Sequence, residues 1–362
     1  MAPVAAALRT FSPLVETRVA LTGQHTTLVN QVLTAFDLEP HYDLGIMKEG
    51  QTLYDVLHGA MEGLRRVVQE FRPNVLLVQG DTATVFTAAL VGFLENVAVG
   101  HVEAGLRSGD KRAPFPEEVF RHMTDVIADY HFAPTERARD LLLRENTPTD
   151  RISVTGNTVV DALRSVSAMN RPISNTTLHQ ILAQETRLIL LTAHRRESFG
   201  DPLRELFGAV RAIADEFDDV AIVYPVHPNP NVQGPARQLL AGHPRIHLTP
   251  PLDYFDLIGA IKAADLVLTD SGGIQEEAPT FGTHVLVLRE VTERPEGIEA
   301  GVAELVGTNR DRILERVRAV LGGDKASPTE NPYGDGRAGE RIADIIVSDL
   351  TGRPRKTTDW DG

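Results

Sequence analysis

The chain of 362 residues is long enough for about two domains at roughly 150 residues per domain. Hydrophobic residues at 42% and charged residues at 24% are ordinary globular usage, which excludes collagen-like, coiled-coil and disordered classes. The chain has no cysteine, so disulfide frameworks, zinc–thiolate sites, iron–sulfur clusters and cysteine nucleophiles are excluded too. Its longest uncharged apolar stretch, around residues 83–94, is shorter than the ~20 residues of a membrane-spanning helix, and a signal-peptide pattern is absent. We expect a soluble cytoplasmic protein that binds no membrane.

The charge balance is strongly acidic, with 50 Asp and Glu against 36 Lys and Arg and a net charge of −14. This balance disfavours binding to nucleic acid. Only five of the basic residues are lysine, and acidic, lysine-poor surfaces are typical of high-salt cytoplasm because dense carboxylates hold water. We therefore expect a halophilic, archaeal source and a stability that rises in KCl above about 0.5 M, the alternative being an ordinary acidic enzyme. Unfolding followed across a KCl titration tests this, and a flat response would contradict it.

The first half of the chain alternates short apolar runs with helix-compatible stretches, which predicts a doubly wound α/β domain over residues 1–169. It opens on a helix-like segment, residues 1–9, although such a domain normally begins with a strand and a phosphate-facing loop. We therefore expect its first strand to be missing. The predicted strands are Thr17–Leu21, Val75–Gly80, Val97–Gly100, Tyr130–Ala133 and Ile152–Val154, with helices at about 25–36, 50–71, 81–95, 117–127, 136–145 and 157–169.

A polar, proline-containing stretch, Asn170–Glu185, is the predicted linker, and residues 170–333 repeat the same pattern as a second Rossmann-like domain facing the first across a cleft. A last helix, 334–350, is expected to return to the first domain, and the polar tail 351–362 is expected to be disordered. The predicted strands of the second domain are Leu188–Leu191, Ala221–Tyr224, Ile246–Leu248, Leu266–Leu268, Val285–Leu288 and Glu304–Val306, with helices at about 203–217, 232–241, 254–263, 272–281 and 309–321.

Three carboxylates are predicted to converge at the carboxyl edge of the first sheet. Asp81 and Glu103 follow neighbouring strands, and Glu117 stands beside Glu118 at a predicted helix start. Clustered carboxylates can shift one another's pKa values and so provide an acid and a base. The alternative is that they act as helix caps and as ion-pair partners of nearby arginines, Arg107, Arg112 and Arg121.

The second domain carries a candidate phosphate site and a cationic cluster. Ser271, Gly272 and Gly273 open a helix, whose N-terminus attracts phosphate, unless Asp270 is simply an N-cap and the glycines serve only the turn. One turn later, Glu276 and Glu277 can reach ribose hydroxyls. His194, Arg195 and Arg196 follow the first strand of this domain and can neutralise a departing diphosphate, although a solvated charge run is the alternative. His227 and Arg294 lie at the ends of further strands. No Walker loop, zinc-binding helix or intact dinucleotide fingerprint is present, so no metal or redox cofactor is implied.

Together the motifs closely resemble the non-hydrolysing UDP-N-acetylglucosamine 2-epimerases. They include GDT at 80–82, HVEAGLRSGD at 101–110, PFPEE at 114–118, AHRRESFG at 193–200, LTDSGGIQEEAPTFG at 268–282 and NPYGDG at 331–336. The resemblance implies two Rossmann-like domains in a fold like that of the GT-B glycosyltransferases. It also implies interconversion of UDP-GlcNAc and UDP-ManNAc by anti-elimination of UDP to 2-acetamidoglucal and re-addition, in a homodimer without a cofactor.

By the same resemblance, Asp81, Glu103 and Glu117 are the acid/base carboxylates, and His194 assists loss of the diphosphate. Ser271, Gly272 and Gly273 hold the phosphates, Glu277 binds the ribose and Arg294 supports the nucleotide. An allosteric UDP-GlcNAc site matches Gln24, Gln51, Glu117, Arg195 and His227, but Thr27 and Gly50 depart from the bacterial pattern.

Family members also begin with a strand and a Gly-Thr-Arg-Pro-Glu loop just before the segment that matches Met1–Val4, so the native protein is expected to be longer. Three alternatives remain open: a hydrolysing epimerase that releases ManNAc and UDP, a GT-B glycosyltransferase, and a non-catalytic nucleotide-sugar binding module.

Overall fold

The computed structural model describes residues 1–23, 26–48, 50–323 and 330–362 and divides the chain into two units. The first unit consists of Met1–Ala162 together with Tyr333–Gly362, and the second of Leu163–Pro332. The boundary therefore lies after residue 162, inside a helix, and not after residue 169.

Parallel strands form the centre of the first unit. Four of them make one sheet in chain order: β3 (Val75–Gln79), β4 (Ala98–Val102), β5 (Tyr130–Ala133) and β6 (Ile152–Val154). A separate parallel pair consists of β1 (Ala20–Leu21) and β2 (Tyr42–Asp43). The sequence prediction missed β2, because a two-residue strand has no periodicity to detect.

Amphipathic helices cover the four-stranded sheet. The longest buries Val56, Ala60, Leu64 and Val68 along one stripe, and it starts where Thr52 and Asp55 form a capping box. The helices of this unit are α1 (Ala2–Arg9), α2 (Thr26–Ala35), α3 (Leu53–Phe71), α4 (Ala83–Leu94), α5 (Glu117–Ile127), α6 (Glu136–Arg144), α7 (Thr158–Ala168, which crosses the boundary) and, at the end of the chain, α15 (Ala338–Thr351).

The polar tail is ordered, so the prediction that residues 351–362 are disordered was wrong. Trp360 is buried, and its backbone N–H donates to the carbonyl of Val154 at 2.8 Å, while the Val154 N–H donates to Asp359 at 3.0 Å. Earlier in the tail, the N–H groups of Lys356 and Thr357 donate to the Asp344 carboxylate at 2.7 Å each. The tail thus lies along the edge strand β6, held by backbone hydrogen bonds that composition does not predict.

Trp360→Ala is expected to lower the free energy of unfolding by about 3–5 kcal/mol, because it removes a large buried ring from the first unit. Urea titration followed by circular dichroism measures this. Lys356→Ala is the matched control, since it truncates an exposed side chain of the same tail and keeps the backbone bond to Asp344. A change below about 0.5 kcal/mol for the tryptophan variant would mean that the tail adds nothing to stability.

The second unit contains one six-stranded parallel sheet in the order β12-β11-β10-β7-β8-β9. Read from the other edge, this is the 3-2-1-4-5-6 order of a doubly wound Rossmann fold, with the change of direction between β7 and β10. Its strands are β7 (Arg187–Thr192), β8 (Val220–Pro225), β9 (Ile246–Thr249), β10 (Leu266–Thr269), β11 (His284–Val287) and β12 (Ala303–Leu305).

Two hydrophobic cores lie on opposite faces of this sheet. In β7, Ile189 and Leu191 belong to one core, and Leu188 and Leu190 to the other, which explains the unbroken apolar run in the sequence. A short helix occupies part of the predicted linker 170–185. The helices of this unit are α8 (Thr176–Leu182), α9 (Asp201–Glu216), α10 (Pro230–Leu240), α11 (Tyr254–Ala263), α12 (Gly272–Glu277), α13 (Pro295–Glu299) and α14 (Arg310–Leu321).

Candidate functional site

Asp81 and Glu103 lie at the carboxyl ends of two paired strands in the first unit. Gln79 of β3 is in register with Val102 of β4, and the Gly80 N–H donates to the Val102 carbonyl at 3.1 Å. Asp81 and Glu103 follow directly on these adjacent ends. The edge predicted from the sequence is therefore the one that carries both carboxylates.

The Glu103 carboxylate is held in place by backbone and side-chain geometry. Its φ of 66° lies in the left-handed region, which is rare for a residue with a side chain and is found at functional sites where the surroundings enforce it. Its oxygens accept from Gln79 Nε2 at 3.3 Å and from Asn157 Nδ2 at 3.2 Å. A Cβ on Gly80 would lie 3.5 Å from Glu103 Oε2, so the carboxyl group sits against the turn that leads to Asp81.

Helix α5 connects to the Asp81 turn through Arg121. The Arg121 guanidinium is nearly buried and donates to the Asp81 carboxylate, and it also lies 3.2 Å from Glu118 Oε2. Glu117 begins the same helix one turn before Arg121 and is half-buried. This end of α5 therefore lies beside Asp81.

The neighbouring acid Glu118 has a structural role. It is fully buried and accepts the backbone N–H groups of Ser108 and Gly109 at 3.0 to 3.1 Å. Arg107 is similarly committed, to Asp125 and Glu145 at 2.8 and 2.6 Å. The ion-pair alternative therefore holds for Asp81 and Glu118, which both pair with Arg121, whereas Arg107 pairs with other acids.

In the second unit, one buried carboxylate organises the loop after β7. Asp270, at the end of β10, accepts the backbone N–H groups of His194 and Arg195 on Oδ2, at 2.6 and 2.8 Å. Strands β7 and β10 flank the change of direction in the sheet, which is the usual position of ligands in doubly wound folds. The N-cap of α12 is Ser271, so the reading of Asp270 as an N-cap was wrong.

The His194 ring has two neighbours in this unit. Its Nδ1 lies 3.2 Å from Asp270 Oδ1, and its ring stacks on that of His227 with centroids 5.4 Å apart. Burial, and secondarily the nearby His194, lower the pKa of His227 below its ordinary value. Arg195 donates from Nε to the Asp270 carbonyl at 3.1 Å. His194 and Arg195 thus lie against Asp270, and His227 lies against the His194 ring.

Arg294 packs directly on the glycine pair at the start of α12. A Cβ on Gly272 would lie 2.6 Å from Arg294 Nη1, so any side chain at this position would displace the guanidinium. Arg294 is oriented by Glu276, to which Nε donates at 2.6 Å, and by Glu293, which accepts from Nη1 at 2.7 Å. Burial opposes ionisation of Glu293, but the arginines Arg294 and Arg289 prevail and lower its pKa to about 2.

Glu277 lies at the end of α12 in a different environment. Burial of its carboxyl group raises its pKa to about 7. Of the two acids predicted near a ribose, Glu276 is buried and paired with Arg294, whereas Glu277 is half-buried. A carboxylate of this kind gains most from a ligand that donates hydrogen bonds to it.

The predicted allosteric residues are distributed over both units. Gln51, in the first, accepts the Lys48 N–H at 2.8 Å and donates to the Ile46 carbonyl at 2.7 Å. Arg195 and His227 are the residues beside Asp270 in the second. Gln24 lies outside the described residues.

Comparison with known proteins places these features in a family. A family model described as UDP-N-acetylglucosamine 2-epimerase matches residues 9–347. The UDP-N-acetylglucosamine 2-epimerase of Bacillus subtilis (strain 168) is 46% identical over 353 residues, which cover 96% of this chain and 91% of the relative. The chain belongs to the UDP-N-acetylglucosamine 2-epimerase family.

Solved structures of this family agree with the fold described above. The enzyme of Neisseria meningitidis bound to UDP-GlcNAc has a TM-score of 0.87 at 38% identity, covering 97% of this chain and 96% of that one. The enzyme of Methanocaldococcus jannaschii in complex with UDP-GlcNAc and UDP has a TM-score of 0.80 at 33% identity, covering 96% and 95%. The predicted α/β fold of GT-B type and the membership of an isomerase family are confirmed.

Several residues of this epimerase-family chain escaped the sequence analysis. Gln79 and Asn157, which hold Glu103, lie in the predicted strand Val75–Gly80 and at the start of the predicted helix 157–169, but were assigned no role there. His101 and Asp125 are also buried at this edge. The one signal in the sequence for the buried pair of His101 and Asp125 is a histidine near the end of the otherwise apolar strand β4. In the described ranges, none of the helices is long and apolar enough to cross a membrane.

Proposed function

We propose that the chain interconverts UDP-GlcNAc and UDP-ManNAc without hydrolysis. The observation that carries the proposal is the fixed pair of carboxylates at the ends of β3 and β4, with Glu103 held at positive φ by Gln79 and Asn157. Inverting C2 requires groups that remove a proton and return one to the opposite face, and carboxylates can do both.

The reaction begins with loss of the proton on C2 to one of the carboxylates of Asp81, Glu103 or Glu117. The C2–H electron pair forms the C1–C2 double bond as the C1–O bond to UDP breaks, giving 2-acetamidoglucal and UDP. UDP then adds back to C1 while a protonated carboxyl group delivers a proton to C2 from the other face. Arg121 donates to the Asp81 carboxylate and so holds this group in place at the edge of the sheet.

Departure of UDP is the costly part of this reaction, because no carbonyl group acidifies C2. We assign its stabilisation to His194, positioned by Asp270, with Ser271, Gly272 and Gly273 at the phosphates and Arg294 supporting the nucleotide. Positive groups aimed at a leaving diphosphate lower the barrier by electrostatic stabilisation. Glu277 accepts hydrogen bonds from the ribose hydroxyls.

The affinity for UDP is expected to rise as the pH increases through about 7, because the ribose hydroxyls donate to the ionised form of Glu277. Below that pH the free enzyme holds a proton on this group, so binding releases it. Calorimetry in buffers of different ionisation enthalpy measures that proton release.

Glu277→Gln is the matched control, since titration of the phosphates of UDP is common to both proteins. The difference in pH dependence between the two should follow a single group near pH 7. Identical pH profiles would contradict the assignment of Glu277 to the ribose.

The decisive test of the proposed function is proton NMR of the purified protein with UDP-GlcNAc in deuterated, high-salt buffer. Formation of UDP-ManNAc with deuterium at C2 establishes epimerisation through proton exchange. Free ManNAc and UDP would instead establish the hydrolysing reaction, and a requirement for an added acceptor would identify a glycosyltransferase. Binding of UDP-GlcNAc without turnover would leave a nucleotide-sugar binding module.

We further propose a cytoplasmic homodimer with a second, allosteric UDP-GlcNAc site that includes Gln24, Gln51, Glu117, Arg195 and His227, on the strength of the family resemblance. Sedimentation velocity tests the dimer. Initial rates plotted against UDP-GlcNAc concentration test the activation, which predicts a sigmoidal curve. Gln51→Ala should then make the curve hyperbolic.

A further inference from the structure

Strand β4 carries a histidine with no exposed surface, and both of its ring nitrogens face hydrogen-bond acceptors. His101 Nδ1 lies 2.5 Å from Asp125 Oδ1, and Nε2 lies 2.8 Å from the carbonyl oxygen of Gly80. A backbone carbonyl can only accept, so Nε2 carries a proton. If Asp125 is ionised it can only accept too, and Nδ1 then carries a proton as well.

The surroundings of Asp125 favour its ionised form. Oδ2 accepts the Gly105 N–H at 3.2 Å and lies 2.8 Å from Arg107 Nη2. Burial opposes ionisation, but the charges of His101 and Arg107 outweigh it, so the pKa of Asp125 is well below its ordinary range. For the same reason the pKa of His101 is raised despite its burial, by Asp125 and by the Gly80 carbonyl.

The charged groups around the ring come from every element packed on it. Asp125 is on α5, Glu103 follows β4 itself, and Arg107, which pairs with Asp125, also pairs with Glu145 after α6. His131 on the neighbouring strand β5 faces the backbone carbonyl of Asp125, at 2.8 Å from Nε2. The nearest partners of the ring are therefore acceptors or anions.

These contacts connect the two turns that carry the proposed catalytic carboxylates. Gly80 immediately precedes Asp81, and Gly105 follows Glu103 by two residues. Both glycines have positive φ, at 85° and 84°, and a Cβ on Gly105 would lie 2.3 Å from the Ala138 carbonyl oxygen. One buried ion pair thus holds the Gly80 carbonyl from one side and the Gly105 N–H from the other.

We propose that His101 is a permanently protonated positioning residue, whose imidazolium ties the Asp81 turn through Asp125 to the turn after Glu103. Its importance for the reaction rests on the proposed function, whereas its charge state does not. Removing the charge should displace the carboxylates and lower kcat by about 10- to 100-fold, with KM changed by less than about threefold.

The charge state is tested on the wild-type chain, labelled with ¹⁵N-histidine and without substrate. Proton–nitrogen correlation spectra from pH 5.5 to 8.5 are compared with those of His101→Gln to assign the signal. The expected result is two protonated nitrogens and no titration over this range. A ring with one protonated nitrogen at pH 7 would overturn the proposal, whatever reaction the enzyme catalyses.

The positioning role is tested by comparing kcat and KM of His101→Gln with those of His131→Gln. Each variant replaces a buried histidine, and the two histidines lie on adjacent strands. Both histidines contact Asp125, but only His101 contacts Gly80. We expect the loss of kcat for His101→Gln alone, with kcat of His131→Gln within about threefold of the wild type. Equal losses of kcat would reduce His101 to a purely structural residue, and an inactive wild type would count against the proposed function instead.

Discussion

Glu103→Gln is expected to lower kcat for epimerisation by about 10²- to 10⁴-fold, the range typical for removal of a general acid or base. Glutamine has nearly the same shape and can still accept one of the two hydrogen bonds from Gln79 and Asn157, but it cannot take or return a proton. The fold and the affinity for UDP should change little, because the side chain volume and the left-handed backbone are retained. Epimer formation followed by proton NMR measures the effect.

Comparison with Asp81→Asn makes this prediction more informative. If the two carboxylates serve opposite faces of C2, each variant should still exchange the C2 proton of one epimer with deuterated solvent while failing to produce the other. Glu136→Gln is the control, since it removes an exposed carboxylate that pairs with Arg139 on α6. A Glu103→Gln enzyme with wild-type kcat would exclude this residue from proton transfer.

The position of the candidate carboxylates could be predicted because it follows from strand order alone. In a parallel sheet, residues directly after neighbouring strands must share an edge, and Asp81 and Glu103 do so. Residue type and position alone could not distinguish Glu117 from Glu118, however, and only the family resemblance selected Glu117. Adjacent residues at a helix start point in different directions, and only the hydrogen bonds from Ser108 and Gly109 show that Glu118 holds a loop.

The missed features have a common physical origin in long-range contacts. Neither the ordered tail nor the hydrogen bonds from the His194 loop to Asp270 leave a periodic pattern of apolar residues in the sequence. The tail is fixed by the hydrogen bonds of Trp360 and Asp359 with Val154, and Asp270 by bonds to a loop that follows a different strand. Helix α8 was missed for a different reason, because its polar, proline-flanked sequence resembles a linker, and its two buried apolar residues, Leu178 and Ile181, are too few to give a periodic pattern.

The Asp270 carboxylate accepts two backbone N–H groups and places a negative charge beside His194. Asp270→Asn and Asp270→Ala are expected to separate these two functions. The asparagine carbonyl oxygen can still accept the N–H groups of His194 and Arg195, so the loop after β7 should keep its conformation. Its neutral amide group removes the negative charge whose Oδ1 atom lies 3.2 Å from His194 Nδ1, so a protonated imidazole loses electrostatic stabilisation. We expect kcat to fall by about 10- to 100-fold with little change in stability.

Asp270→Ala removes both functions, so the partly buried N–H groups of His194 and Arg195 lose their acceptor. We expect the same loss of kcat together with about 1–3 kcal/mol of lost unfolding free energy. Asp265→Asn is the matched control, because this acid also accepts a backbone N–H from β7, that of Leu188 at 2.9 Å, but at the far end of the strand. Urea unfolding and initial rates for the three variants would measure both effects. If Asp270→Asn kept full activity, the carboxylate would matter only as a backbone acceptor, and His194 would not need its charge for the departure of UDP.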